Sequence, residues 1–117
     1  MAFSFTSEEK NNVRIFHLEG SLMESQHATT LLEEINELIA NDTGKFILDL
    51  QELKYMNSTG LGVLISILTK ARKAAGEAII CNVPVKIREL LIITKLNTVF
   101  TVADNIEQAM KMVGGNV

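Results

Sequence analysis

Apolar residues recur along this chain with two periods, and the points where the period switches mark its elements. "FSFTSEE", from Phe3 to Glu9, alternates apolar and polar residues as a half-buried strand does, and Asn11–Asn12 follows as a turn signal. "VRIFHLEG" sets Val13, Ile15 and His17 on one side and Arg14, Phe16 and Leu18 on the other, and Gly20 closes the run. The two segments predict an N-terminal β-hairpin. From Ser25 to Asn41 the period becomes helical, with Leu31, Leu32, Ile35, Leu38 and Ile39 on one stripe and Glu33, Glu34, Asn36 and Glu37 opposite. "NDTG" supplies the stop. "KFILDL" is a short apolar run that fits a strand covered on both faces, and "QELKYMN" after it reads as a loop.

A second helical stripe starts at Ser58 and carries Leu61, Leu64, Ile65, Leu68 and Ala71. Lys70, Arg72 and Lys73 complement the negative end of its dipole, and Gly76 is the expected cap. "EAIICNV" is another buried strand. Pro84, the single proline, fits the first turn of a third helix carrying Val85, Ile87, Leu90, Leu91 and Thr94 and ending near Asn97. "VFTVAD" predicts a last strand. "NIEQAMKMVGG" predicts a last helix capped by Asp104 or Asn105, with Ile106, Ala109, Met110 and Val113 inward.

The order β-β-α-β-α-β-α-β-α describes an α/β domain: a small mixed, mostly parallel sheet reached by right-handed crossovers, with about four helices packed on it. The 117 residues fit one domain, 1–117, with 47% hydrophobic and 21% charged residues, as in an ordinary globular protein. A formal net charge of −3, no Trp and one Tyr argue against a nucleic-acid or anionic-membrane partner. No apolar run approaches the roughly 20 residues of a membrane span. The N-terminal residues lack a signal-peptide pattern, which predicts a cytoplasmic protein.

Candidate catalytic groups are sparse. Cys81 lies in the apolar run "AIICNV" with no basic neighbour, so it reads as a core thiol. His17 reads as a strand residue at a core edge and His27 as an exposed helix-start residue. Neither is spaced with other donors for a metal. A Ser58–His27–Asp49 triad can be drawn, but the flanking pattern of a nucleophile elbow is missing. The "STGLG" glycines are too few for a dinucleotide fingerprint, and no Walker lysine follows. No cofactor, metal site or enzymatic activity is expected.

"YMNSTGLGVL", Tyr55 to Leu64, is the unusual stretch. One oxygen, from Asn57 or Ser58, suffices to cap the helix. A second hydroxyl at Thr59 and glycines at 60 and 62 exceed that need, and glycine inside a helix costs about 1 kcal/mol against alanine. The site follows the carboxyl end of a parallel strand, where open α/β sheets place functional loops. A phosphate there would bring about −1.5 to −2 charges to N–H groups that favour anions.

With these residues in view, "LDLQELKYMNSTGLGVLISILTKARKAAGEAIICNV" resembles the core of the STAS domain, shared by anti-sigma factor antagonists and sulphate transporters. "VRIFHLEGSL" is similar to the family's second strand and Gly-Glu-Leu-Asp turn, and "KIRELLIITKLNTVFTVADNIEQAM" to its tail. The resemblance implies an anti-sigma factor antagonist that binds a kinase-type anti-sigma factor and frees a sigma factor. It places phosphorylation on Ser58, with Thr59 in reserve, and implies a phosphatase for reset. It puts the partner surface at Asn57, Ser58, Thr59, Gly60 and Leu61, with Ser21 and Met23 from the turn. Two departures from the pattern stand out, one at the helix start and one in the turn. Asn57 stands where the family has Asp, and Ser21 and Met23 stand where it has Glu and Asp. Those departures keep a second reading open, a STAS scaffold or ligand-binding module that is never phosphorylated.

Overall fold

The structure, a computed structural model, describes residues 2–114. Strand β1 (Ser4–Lys10) turns into β2 (Val13–Leu22) through Asn11 and Asn12, both at positive φ, as a two-residue hairpin loop requires. A 3-10 turn (Ser25–Ala28) leads into helix α1 (Thr29–Ala40). Then follow β3 (Lys45–Met56), α2 (Ser58–Lys73), β4 (Glu77–Cys81), α3 (Val85–Ile93), β5 (Thr101–Ala103) and α4 (Ile106–Gly114). Gly115, placed in the last helix by its sequence, lies outside the described residues.

The five strands lie side by side in chain order. β1 is antiparallel to β2, and every later pair is parallel. Successive right-handed crossovers that all step in one direction put their helices on one face. α1, α2 and α3 therefore share a face, where Leu31, Ile35, Leu64, Leu68, Ile87 and Leu91 cover Phe16, Leu48 and Ile80. α4 packs on the other face, where Ala109 and Val113 cover Val13, Ile15, Ile47 and Ile79. Two cores thus sandwich one sheet.

Several elements differ from their sequence expectation. β2 runs through Gly20 to Leu22; that glycine has φ +88°, and a Cβ there would stand 1.9 Å from the Ala2 carbonyl oxygen. The predicted loop "QELKYMN" is strand up to Met56. Across this stretch β3 uses two more residues than β2, since His17 pairs with Asp49 but Leu22 with Met56, and these bulges break the alternation that identifies a strand. The predicted helix from Ser25 opens as a 3-10 turn, with α1 starting only at Thr29. Ile65 is half-buried at the core's edge, and Val85 is exposed. Pro84 is the N-cap of α3 rather than a residue of its first turn, and α3 ends at Ile93.

Gly76 is not the left-handed cap of α2. Ala75 takes that conformation at φ 62°, and the Gly76 N–H closes the motif on Ala71 O at 2.8 Å. Gly76 is glycine because of contact: a Cβ there would lie 1.9 Å from Gly44 O. At α4, Asn105 is the cap, its Oδ1 accepting the Gln108 N–H at 2.8 Å.

Candidate functional site

The carboxyl end of the parallel strands carries the stretch that stood out in sequence. β3 ends at Met56, Asn57 remains extended (φ −113°, ψ −170°), and α2 begins at Ser58. Asn57, not Ser58, caps the helix, accepting the Gly60 N–H on Oδ1 at 2.9 Å. Its Nδ2 donates to the Met23 carbonyl at 3.0 Å. Ser58 and Thr59 are both exposed, and neither hydroxyl is needed for the cap. The pairing of β2 with β3 sets Ser21 beside Tyr55 and Leu22 beside Met56, so the turn residues and the helix start share one end of the molecule. Met23 and Tyr55 project there, 39% and 53% exposed.

Not every predicted contact residue reaches this surface. Leu61 is in the main core and Gly60 is buried beneath the helix start. A Cβ on Gly60 would lie 2.0 Å from Leu22 O, so glycine is required for the α2 and β2 backbones to meet. Gly62 is the opposite case: it is exposed, and a Cβ there would meet nothing within 4 Å. It opens a shallow groove of about 370 Å³ along α2, continued by Ser66 and Thr69 and edged by Lys70 and Lys73.

A second polar cluster, not foreseen from sequence, lies on the α4 face of the sheet. Asp49, 8% exposed, is the one buried charged side chain among the described residues. His17 Nδ1 lies 2.7 Å from its Oδ2, and Nε2 lies 2.8 Å from Glu8 Oε2. Asn82 Nδ2 and the Gln51 N–H donate to Asp49 Oδ1 at 3.0 and 3.1 Å. Partial burial alone would lower the His17 pKa, but the hydrogen bonds and charges of Glu8 and Asp49 outweigh it and raise it above its ordinary value. Burial first, and Asp49 second, push the Cys81 thiol up to about 12. Reading His17 as a strand residue at a core edge was correct as to place but missed its partners. The available signal was Asp49, an acid inside the apolar run "KFILDL".

These contacts also dissolve the triad drawn on paper. Asp49 is engaged by His17, Asn82 and Gln51, while His27 faces Glu24 at 3.4 Å. Among the described residues, no three His, Cys, Asp or Glu side chains converge as a metal site would. No helix among them is long and apolar enough to cross a membrane.

Comparison with known proteins places these features in a family. A sequence model described as the STAS domain matches residues 4–109. A candidate anti-sigma factor antagonist of Bordetella bronchiseptica, BtrV, is 28% identical over 104 residues, covering 89% of each chain. Among solved structures, a candidate anti-sigma factor antagonist from Thermotoga maritima superposes with a TM-score of 0.83 at 22% identity, covering 94% of both chains. The anti-sigma factor antagonist SpoIIAA in its unphosphorylated form superposes at 0.80 with 22% identity, covering 97% of this chain and 99% of its own. The phosphorylated form of SpoIIAA, from Bacillus, superposes at 0.73 with 20% identity, covering 94% and 99%.

Proposed function

The chain belongs to the STAS domain family, and from that premise we propose that it is an anti-sigma factor antagonist switched by phosphorylation at Ser58. One observation carries the reading: Ser58 is exposed at the first position of α2, while the cap it could have supplied comes from Asn57. Its hydroxyl is therefore available to a kinase without loosening the helix. A phosphate on it adds about −1.5 to −2 charges beside the positive end of the helix dipole, so the fold tolerates the change. A partner seated over Ser58, Thr59, Ser21 and Met23 meets a dianion where it had met a hydroxyl. In this reading the unphosphorylated chain binds a kinase-type anti-sigma factor and frees a sigma factor, the phosphorylated chain lets go, and a phosphatase resets it.

The test is incubation with a kinase-type anti-sigma factor of the same organism and ATP. Label is expected on the parent chain and absent from Ser58→Ala. Undiminished label in that variant moves the acceptor elsewhere, with Thr59 examined next. The neutral pair Asn57 and Met23 favours a second reading, a STAS scaffold that is not phosphorylated. Ser58→Asp separates the two, because only the switch predicts that this variant loses its partner.

A further inference from the structure

Two consecutive carbonyls at the exit of β2 are met by the first turn of α2. The Leu22 carbonyl sits where a Cβ on Gly60 would intrude, and the Met23 carbonyl accepts from Asn57 Nδ2 at 3.0 Å. The same Asn57 side chain accepts the Gly60 N–H on Oδ1. One amide thus works at both ends, toward its own helix and toward the neighbouring loop. Capping needs only the oxygen, and aspartate provides it equally well. Aspartate in the same place, however, sets a carboxylate oxygen against the Met23 carbonyl, acceptor against acceptor. Serine and threonine have one atom for two tasks in different directions.

We infer that Asn57 is a positioning residue whose NH2 group fastens the loop after β2 to the first turn of α2, so that Met23 and Ser58 are presented as one rigid surface. The significance of that surface rests on the function proposed above; the fastening does not. The departure from the family pattern at position 57 then has a structural role, exerted through the backbone of position 23. Asn57 acts through the Met23 backbone and the placement of Ser58.

Asn57→Asp tests this, because it keeps the capping oxygen and removes the donor. Hydrogen exchange of the full chain at pH 7 is expected to show the Met23–Ala28 amides exchanging about three- to tenfold faster, the effect of one lost hydrogen bond. The Gly60 and Leu61 amides, still capped, are expected to lose less protection than the loop. At about pH 2, below the lowered pKa of a carboxylate that caps a helix start, the introduced carboxyl is protonated and can donate again, so the excess over the parent at matched pH should vanish. A merely structural cap predicts neither the loop effect nor its recovery. Unchanged loop protection at pH 7, or an excess that persists at low pH, overturns the inference. If the kinase-type anti-sigma factor binds the parent, Asn57→Asp should bind about three- to tenfold more weakly. A kinase that binds neither chain counts against the proposed function alone, since exchange still decides the fastening.

Discussion

His17 Nδ1 and Asp49 Oδ2 face each other at 2.7 Å across neighbouring parallel strands, and the second ring nitrogen of His17 reaches Glu8 on β1 at 2.8 Å. A neutral imidazole has one N–H and can serve only one carboxylate, whereas the imidazolium serves both. Asp49 is buried and held by Asn82 and Gln51, so it is Glu8 that loses its donor when the ring is neutral. The cluster ties the edge strand to the centre of the sheet through a proton.

A pH dependence follows. The folded pKa of His17 is raised above its unfolded value near 6.5, so its contribution is fully present below that value and lost as pH rises through the folded pKa. Urea midpoints of the parent should therefore fall from slightly acidic toward alkaline pH. His17→Gln should flatten that part of the profile and cost about 1 kcal/mol at pH 6, less than a buried charge-assisted hydrogen bond because His17 and Glu8 are partly exposed and screened by solvent. A variant that retains the full slope assigns the titration to another group.

The two glycines of "STGLG" should respond to alanine in opposite directions. Gly60→Ala drives a methyl into Leu22 O and should destabilise by about 1–3 kcal/mol or more, as overpacking does. Gly62→Ala meets open space and should stabilise by about 1 kcal/mol through helix propensity. Urea denaturation of both variants checks the pair. Weaker partner binding by the more stable Gly62→Ala would show that the groove it opens takes part in docking.

Three helices end in the same left-handed motif without glycine at the strained position: Asp42, Ala75 and Lys95 have φ of 67°, 62° and 62°. Ala75→Gly and Lys95→Gly should each stabilise by about 0.5–1 kcal/mol, because relief of left-handed strain exceeds the added freedom of the unfolded chain. Gly76→Ala, one position on, should destabilise instead, since its methyl would collide with Gly44 O. Thermal or urea midpoints distinguish a conformational need from a steric one.

Cys81 should be inert in the native state. Its side chain is fully buried, and a thiol pKa of about 12 against an ordinary 9.0 leaves on the order of a thousandfold less thiolate at pH 8. Disulfide reagents should label it only at the rate at which the chain opens, and immediately in urea. Fast labelling of the folded protein would mean that this face of the sheet opens far more readily than its packing allows.

Element identity was written in the local sequence. Hydrophobic period distinguished helix from strand, the Asn11–Asn12 pair marked the hairpin, and "NSTGLG" marked the helix start, because each depends on neighbours a few residues away. Tertiary contact decided the rest. The bulges that make "QELKYMN" a strand exist only against β2, and the place of α4 on the second face is set by the apolar patch of Val13, Ile15, Ile47 and Ile79 that three strands assemble there. Gly20, Gly60 and Gly76 look alike in sequence to Gly62, yet Gly60 and Gly76 are demanded by the backbones of Leu22 and Gly44, far off along the chain, and Gly20 by the N-terminal segment, while a Cβ on Gly62 would meet nothing within 4 Å. Asn57 reads as a cap from its position alone. Its second hydrogen bond, to Met23, spans 34 residues of chain, and only the folded sheet brings that carbonyl within its reach.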